Sequence, residues 1–220
     1  MLLLALDTST PAVTVALHDG SRVVAESTVV DPRRHSELLA PALAQVLARA
    51  GAAAGDLTQI AVGVGPGPFT GLRVGVVTAL TLGCALELAV LGVCSQDALA
   101  HAAVRDGEVG GPFAVVTDAR RREVFWARYD PAGLRVGAPQ VDRPDAVAAV
   151  AAADGLVVIG PATELYEFAG ARRAAPAGPL SAGALAQAVV AGGVQLLPPR
   201  PLYLRRPDAT PPGERKRVLA

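Results

Sequence analysis

The sequence carries the same succession of strand and helix patterns twice. Three short apolar segments within residues 2–30, separated by turn residues, predict an antiparallel three-stranded meander. Helix and strand periodicities alternate after it up to residue 104. A second meander begins at Phe113 and is again followed by helix and strand patterns, which are weaker and richer in Ala, Gly and Pro. This repetition predicts an internally duplicated α/β protein.

A segment rich in glycine and charged residues, residues 106–112, separates the two halves. We therefore expect an N-terminal lobe over residues 1–106 and a smaller C-terminal lobe over residues 107–200. Residues 201–220 form a basic C-terminal tail, in which arginine and lysine outnumber the acidic residues. We expect its first part, Leu202–Leu204, to dock on the body of the protein.

The net charge, the cysteines and the length of the apolar runs indicate the cellular compartment. The formal net charge is zero, so the chain as a whole has no electrostatic attraction for nucleic acid or membranes. Cys84 and Cys94 form no C-x-x-C pair, which is typical of a reducing compartment, and we expect both to be core thiols. The apolar run Val74–Leu86 is shorter than the about 20 residues of a membrane span. We expect a cytoplasmic protein with no membrane-spanning segment.

A glycine-rich segment after the fourth predicted strand resembles a dinucleotide-binding loop. Gly63, Gly65 and Gly67 precede a helix, but Pro68 interrupts the G-x-G-x-x-G spacing. Pro66 and Pro68 also lack a backbone N–H, whereas a phosphate-binding loop works by directing N–H groups at oxygen. The residues therefore predict a rigid connection that fixes the start of the next helix.

That helix carries small residues at every fourth position, Gly71, Gly75, Ala79 and Gly83. Glycine inside a helix costs about 0.8–1 kcal/mol relative to alanine, so close packing against this row must compensate. The remaining positions are apolar nearly all round, which predicts a helix that is buried on every side. The residues alone leave open whether its own chain or a partner covers it.

Residues for common catalytic and metal sites are missing from the sequence. The only lysine is Lys216, which excludes a G-x-x-x-x-G-K-[ST] phosphate loop, and no G-x-S-x-G segment occurs. His18, His35 and His101 each lack a second histidine four residues later. We expect neither a catalytic residue nor a metal site.

Five segments carry motifs of a known family: residues 4–9, 34–41, 65–75, 118–124 and 201–205. In the same order, they resemble the TsaB family of bacterial tRNA threonylcarbamoyladenosine biosynthesis subunits, once labelled glycoprotease-like. The string Gly-Pro-Gly-Pro-Phe-Thr-Gly-Leu-Arg-Val-Gly is highly specific to that family and its relatives, whereas residues 165–195 match it loosely. The motif residues singled out are His35, Ser36, Gly65, Pro66, Gly67, Pro68, Thr70, Gly71 and Arg73.

The resemblance implies an actin/Hsp70-like (ASKHA) fold of two lobes, each a mixed sheet with a duplicated βββαβαβα pattern. It also implies a pseudo-enzyme that serves as scaffold or activator for its catalytic paralogue TsaD, together with the ATPase TsaE. Their complex adds the threonylcarbamoyl group to N6 of adenosine 37 in tRNAs reading ANN codons. No intrinsic cofactor is implied, because ATP and metal are expected on the partner subunits, and tRNA is reached through the complex.

The family analogy places the contact with TsaD, or with a second copy of this chain, on the helices over residues 36–50 and 71–87. The residues expected at that interface are Leu39, Leu43, Val46, Leu47, Leu72, Gly75, Val76, Ala79, Leu80 and Gly83. The turn Asp7-Thr8-Ser9 corresponds to one that approaches nucleotide phosphates in actin-like ATPases, although an ordinary Asp/Thr turn is the commoner interpretation.

Two alternatives remain at this stage. One is an enzyme, either a metal-dependent glycoprotease or an actin-like acyl or sugar kinase. The missing metal ligands argue against the protease, and the arginines of Asp118–Glu123, where a kinase needs a glycine turn, argue against the kinase. The other is an RNA-binding module that uses the basic tail, which the zero net charge and the single tryptophan, Trp126, disfavour.

Overall fold

The structure is a computed structural model that describes residues 1–174 and 180–205. Its first half contains β1 (Leu3–Asp7), β2 (Ala12–His18), β3 (Val23–Val30), α1 (His35–Ala50), β4 (Gln59–Gly63), α2 (Phe69–Leu86), β5 (Val90–Val93) and α3 (Ser95–Arg105). Its second half contains β6 (Phe113–Asp118), β7 (Val124–Tyr129), β8 (Arg135–Asp142), α4 (Pro144–Ala153), β9 (Val157–Ile159), β10 (Arg172–Arg173), α5 (Ala182–Val190) and β11 (Leu196–Leu197). Short 3₁₀ helices occupy Ala54–Asp56 and Pro161–Glu164.

The two sheets share one topology. The first has the strand order β11-β5-β4-β1-β2-β3 and the second the order β10-β9-β6-β7-β8. In each sheet the first strand pairs antiparallel with the next strand and parallel with the strand that follows the first helix. The predicted duplication is therefore confirmed. The halves differ where the first has α2, because the second has only the 3₁₀ helix Pro161–Glu164 there.

Five layers stack across the molecule. Helices α1 and α2 cover the outer face of the first sheet, α3 and α5 lie between the two sheets, and α4 covers the outer face of the second. The strands are apolar on both faces for this reason: in β1, Leu3 and Ala5 join the central core, whereas Leu4 and Leu6 face α1 and α2. Continuous apolar runs are what a sheet covered on both sides requires.

The last described helix and strand return to the first sheet. Helix α5 packs on β1 and β2, and β11 pairs antiparallel with β5. The sequence division placed residues 107–200 in the second lobe, but the structure places Ala182–Leu197 beside the first sheet. Leu185 and Ala186 join the core between the two sheets, and the contacts of α5 within that core are with β1, β2 and β3 of the first sheet. The boundary at residue 106 itself stays a prediction.

Helix α2 is the one described helix that is long and apolar enough to cross a bilayer by length and composition. Buried helices of globular proteins meet the same criterion. Here one face of α2 packs on the first sheet, through Leu72, Val76 and Ala79, which are almost inaccessible to solvent. The opposite face of α2 is exposed and is also apolar, through Val77 and Leu80.

Candidate functional site

The row of small residues on α2 faces the chain's own sheet. A Cβ added to Gly71 would lie 2.6 Å from the carbonyl oxygen of Thr8. A Cβ on Gly75 would collide with the Thr8 hydroxyl, and one on Gly83 would collide with the side chain of Val90. The close packing that the glycines demand is therefore provided within the molecule. The sequence left open whether the chain itself or a partner covers this row, and in the structure the chain itself covers it.

The interface residues expected from the sequence need correction. Leu80 is exposed and Leu47 is half-buried, but the others are covered by the chain itself. The covered residues are Leu39, Leu43, Val46, Leu72, Gly75, Val76, Ala79 and Gly83. The physical reason is that the apolar stripe visible in the sequence is the stripe that packs on the first sheet.

A different set of residues forms the outward side of α1 and α2, which we call the outer helix face. On α2 it contains Val77, 59% exposed, and Leu80, 43% exposed. No charged residue occurs between Arg73 and Glu87. The full set is Ala40, Ala44, Leu47 and Ala48 of α1 with Val77, Leu80, Thr81 and Cys84 of α2. The two helices are neighbours on one sheet, and none of these exposed residues is charged, although Gln45 and Arg49 of α1 are exposed as well.

The exposed position of Cys84 also corrects an expectation. Cys94 is a buried thiol as predicted, and burial raises the pKa of its thiol. Cys84 instead lies exposed on the outer helix face, because it follows Val77 and Leu80 at helical spacing.

The segments that carry the family motifs meet near the start of α2. Residues 198–205 cross back over the loop before this helix, where the backbone N–H of Leu202 donates to the carbonyl of Val64 at 2.7 Å. The ring of Tyr203 stacks on Phe69 with centroids 4.8 Å apart, and its hydroxyl accepts from Nε of Arg73 at 3.1 Å. The predicted docking of Leu202–Leu204 is thus present in the structure.

The turn Asp7-Thr8-Ser9 is buried and its polar groups bind the chain itself. The Asp7 carboxylate accepts from the Ser95 hydroxyl at 2.5 Å and from the Ser9 N–H at 2.6 Å. The Thr8 hydroxyl donates to the carbonyl of Gly71 at 2.7 Å and accepts from the N–H of Gly75 at 3.0 Å. Burial raises the pKa of Asp7, and the hydrogen bonds from the two serines oppose that shift. These residues connect β1 to α2 and α3.

The glycine-proline loop closes over this turn. A Cβ on Gly67 would lie 2.9 Å from Cα of Ser9, so the loop backbone rests directly on the turn. Gly63 has no room for a side chain either, because the Asp7 carboxylate fills that space. Protein atoms therefore fill the space directly between the loop backbone and this turn. Whether Asp7, Thr8 and Ser9 ever lie near a nucleotide stays a prediction.

The motif on the second lobe adopts an uncommon backbone conformation. Arg120, Arg121 and Arg122 have φ values of 61°, 56° and 59°, the left-handed region that non-glycine residues rarely enter. Asp118 holds the turn, because its Oδ1 accepts from the N–H of Arg120 at 2.8 Å. Arg205 adds a second restraint by donating to the carbonyl of Ala119 at 2.8 Å and pairing with Glu123. The sequence indicated the charge of this turn but not its geometry.

Comparison with known proteins identifies the family. The family model described as "TsaD: tRNA N6-adenosine threonylcarbamoyltransferase" matches residues 23–171. The chain belongs to this family. Within it the chain is TsaB-like, since it is 36% identical over 129 residues to the tRNA threonylcarbamoyladenosine biosynthesis protein TsaB of Escherichia coli. That alignment covers 59% of this chain and 55% of the Escherichia coli protein.

Two further matches cover nearly the whole chain. An uncharacterized protein of Mycobacterium tuberculosis is 44% identical over 211 residues, which cover 94% of this chain and 93% of that protein. The crystal structure of YeaZ from Pseudomonas aeruginosa superposes with a TM-score of 0.73 at 31% identity, covering 92% of this chain and 99% of the other. The fold of this TsaB-like chain is the actin/Hsp70-like fold that its motifs implied.

The first turn of α3 joins the two sheets of this TsaB-like protein. Ser95 binds Asp7, as described above, and the next two residues reach the second sheet. Nε2 of Gln96 donates to the carbonyl of Phe125 at 2.9 Å. Asp97 accepts from the hydroxyl of Tyr129 at 2.8 Å and from Nε of Arg135 at 2.9 Å. Sequence reasoning missed these residues, although a Ser-Gln-Asp sequence at a helix start was the available signal.

The described part of the TsaB-like chain contains no group of three or more His, Cys, Asp or Glu side chains placed to hold a metal ion. His35, the motif histidine nearest to the loop, donates from Nε2 to the carbonyl of Thr10 at 2.8 Å. Its role in the structure is therefore to hold the start of α1 against the β1–β2 turn. Ser36, Thr70 and Arg73 lie exposed around the same junction.

Proposed function

We propose that this TsaB-like chain acts in tRNA threonylcarbamoyladenosine biosynthesis as a non-catalytic subunit that binds a TsaD-like catalytic partner. The outer helix face carries this proposal. Isolated exposed apolar side chains are ordinary, but several of them on two adjacent helices mark an interaction site. Val77 and Leu80 supply its largest exposed side chains, and the alanines of α1 allow a partner helix to approach closely.

The non-catalytic role is supported by how the motif residues are used. Asp7 is hydrogen-bonded to Ser95 and Thr8 to the backbone of α2, so they present few free groups to a substrate. A kinase requires a phosphate-binding turn on each lobe, and the second turn here consists of arginines in a left-handed conformation. The protease and kinase alternatives therefore find less support in the structure than the partner-subunit proposal.

The family resemblance supports the remaining details of the proposal, which concern the other subunits and the tRNA. We propose that the complex includes a TsaE-like ATPase, and that it modifies N6 of adenosine 37 in tRNAs reading ANN codons in the cytoplasm. ATP and metal belong to the partner subunits in this scheme, and tRNA is bound by the assembled complex. Self-association through the outer helix face would compete with binding of the catalytic partner, because both would bury the same residues.

Introducing charge on the exposed face tests the contact. The variant Val77→Asp/Leu80→Asp removes two apolar contacts and places carboxylates at the proposed interface. Burial of such a side chain contributes about 1.5–3 kcal/mol, so we expect the Kd for the TsaD-like partner to rise at least ~100-fold. Gly75 is unsuitable for this test, because any side chain there would collide with Thr8 and perturb the fold.

Leu134→Asp is the matched control, since Leu134 is 51% exposed and lies in the turn before β8, a strand of the second sheet. Both variants should keep the wild-type thermal midpoint, and the control should keep wild-type affinity in co-purification and calorimetry. Unchanged partner binding by a folded Val77→Asp/Leu80→Asp variant would show that the outer helix face is not the contact.

Chemical modification of Cys84 is a second test of the contact. It also distinguishes binding of the TsaD-like partner from self-association of this chain. It is exposed and Cys94 is buried, so a maleimide should modify Cys84 selectively in the folded chain. We expect the TsaD-like partner to slow this modification at protein concentrations where the isolated chain reacts rapidly. Protection that develops with concentration in the absence of the partner would instead identify a homodimer.

A further inference from the structure

A groove lies between α3 and α5 where they approach β3, the edge strand of the first sheet. Its volume is about 360 Å³, and the described residues that line it include none from α1, α2 or the glycine-proline loop. We propose that this groove binds an aliphatic amine through its ammonium group. The proposal goes beyond the partner-subunit function and is testable on the isolated chain.

Helices α3 and α5 run antiparallel along the groove. Gln187 of α5 accepts a hydrogen bond from Arg105 of α3, whereas a Cβ on Gly193, which follows α5, would lie 2.9 Å from Nδ1 of His101. The start of α5 is therefore near the end of α3. Glu26 of β3 also lines the groove and binds the start of α5. Polar side chains from three elements consequently meet at one end of the groove.

The half-buried carboxylate of Glu26 is fixed through one of its two oxygens. Oε1 accepts from the Ser181 hydroxyl at 2.8 Å, from the N–H of Gly183 at 3.2 Å and from the Thr14 hydroxyl at 3.4 Å. Oε2 accepts no hydrogen bond from any residue that the structure describes. A Cβ on Gly183 would lie 2.7 Å from Oε2, so the glycine leaves this oxygen uncovered. A carboxylate that is held on one side and free on the other is preorganised for a hydrogen-bond donor.

The charges around the groove favour a cationic donor. Arg105 is the one cation among the described residues that line it, and it donates to both carboxylate oxygens of Asp106, at 2.8 Å and 2.7 Å. Glu26 and Glu108 form no ion pair with a residue that the structure describes. The C-terminal end of α3 adds free carbonyl groups and the negative end of the helix dipole. The groove therefore has an excess of negative charge that an ammonium group would complement.

Apolar side chains line the groove beside these charges and limit what the ammonium group is attached to. Leu99 and Ala184 are almost inaccessible to solvent, and Val23 and Ala102 are half-buried. A bare cation would leave these side chains uncovered, whereas the methylene groups of an aliphatic amine would pack on them. A free polyamine and the lysine side chain of another protein both offer this chemistry.

Calorimetric titration of the isolated full chain at low salt tests the proposal with three probes: putrescine, spermidine and a short lysine-containing peptide with blocked termini. We expect saturable binding of at least one probe. Glu26→Gln should weaken it at least about tenfold, because a charged hydrogen bond is lost while the amide oxygen still accepts from Ser181 and Gly183. Glu167→Gln is the matched control, since Glu167 is an exposed carboxylate between β9 and β10 of the second sheet.

A space-filling variant separates the groove from general charge attraction. Ala102→Leu keeps every charge and a good helix former in α3, but its larger side chain occupies the groove. We expect the wild-type thermal midpoint together with binding that is weaker by at least about tenfold. Tighter binding of putrescine or spermidine than of the peptide indicates a free polyamine as the source, and the reverse indicates a lysine side chain. No saturable binding of any probe, equal binding by wild type and both groove variants, or an equal loss in Glu167→Gln would overturn the proposal.

Discussion

The ion pair between Asp97 and Arg135 makes a strong prediction about stability, because both side chains are nearly inaccessible, at 3% and 9% exposure. In Arg135→Met the Asp97 carboxylate keeps its place beside the Tyr129 hydroxyl but loses its cation. Breaking a buried pair by removing one partner costs about 3–5 kcal/mol, since an uncompensated charge remains. That is a large part of the ~5–15 kcal/mol by which domains are stable.

The sign of the pH dependence follows from the pKa of Asp97. Burial raises this pKa, whereas Arg135 and the Tyr129 hydroxyl lower it, so removal of Arg135 raises it further. An acid with a raised pKa in the folded state binds protons more tightly there than in the unfolded state. Stability therefore increases as pH falls through the folded-state value. The other groups beside Asp97, Cys94 and Tyr129, have their pKa values raised by burial and stay neutral in this range.

Urea denaturation of wild type and Arg135→Met at about pH 8 and about pH 5 measures both effects. We expect the loss of unfolding free energy to be largest at the higher pH and to shrink at the lower one. The double variant Asp97→Asn/Arg135→Met should regain much of the loss at pH 8, because the buried charge is then absent. A loss below ~1 kcal/mol, or one of equal size at both pH values, would refute the buried-pair reasoning.

Three further predictions concern packing and exposure. Gly67→Ala should lower the unfolding free energy by about 1–3 kcal/mol, because its Cβ would meet the backbone of the β1–β2 turn, whereas Gly55→Ala, with no atom within 4 Å, should change it by at most ~1 kcal/mol in urea titrations. Tyr203→Ala should cost about 1–2 kcal/mol in the same assay through the lost ring stacking and hydrogen bond. Cys84 should react with a thiol reagent in the native chain, and Cys94 only after unfolding, as mass spectrometry of the labelled chain would show.

The sequence predicted the elements of this fold well where periodicity and turn residues agree. The meander, the positions of α1 and α2, and the docking of Leu202–Leu204 all follow from local patterns. The outward face of α2 could not be predicted in the same way. This helix is apolar nearly all round, so its pattern gives no direction, and the contacts that orient it come from Thr8 and Val90, which belong to other elements.

Buried polar contacts between distant elements could not be predicted from the sequence either. Gln96 and Asp97 look like an ordinary first turn of a helix, and their importance appears only when Phe125, Tyr129 and Arg135 are placed opposite them. The return of α5 to the first sheet is similar, because its apolar stripe suits either sheet and only its contacts with β1 and β2 show which one it packs on.

Fixed contacts between the lobes bear directly on the proposed role. Actin-like enzymes enclose substrates by moving one lobe against the other, which requires few contacts across the hinge. Here Gln96 and Asp97 bind the second sheet from the same helical turn in which Ser95 binds the first, and Arg205 holds the arginine turn from the C-terminal side. Such contacts oppose lobe closure but hold α1 and α2 in one orientation. A partner that docks on a preorganised surface loses less conformational entropy on binding, so these contacts favour the proposed scaffold role.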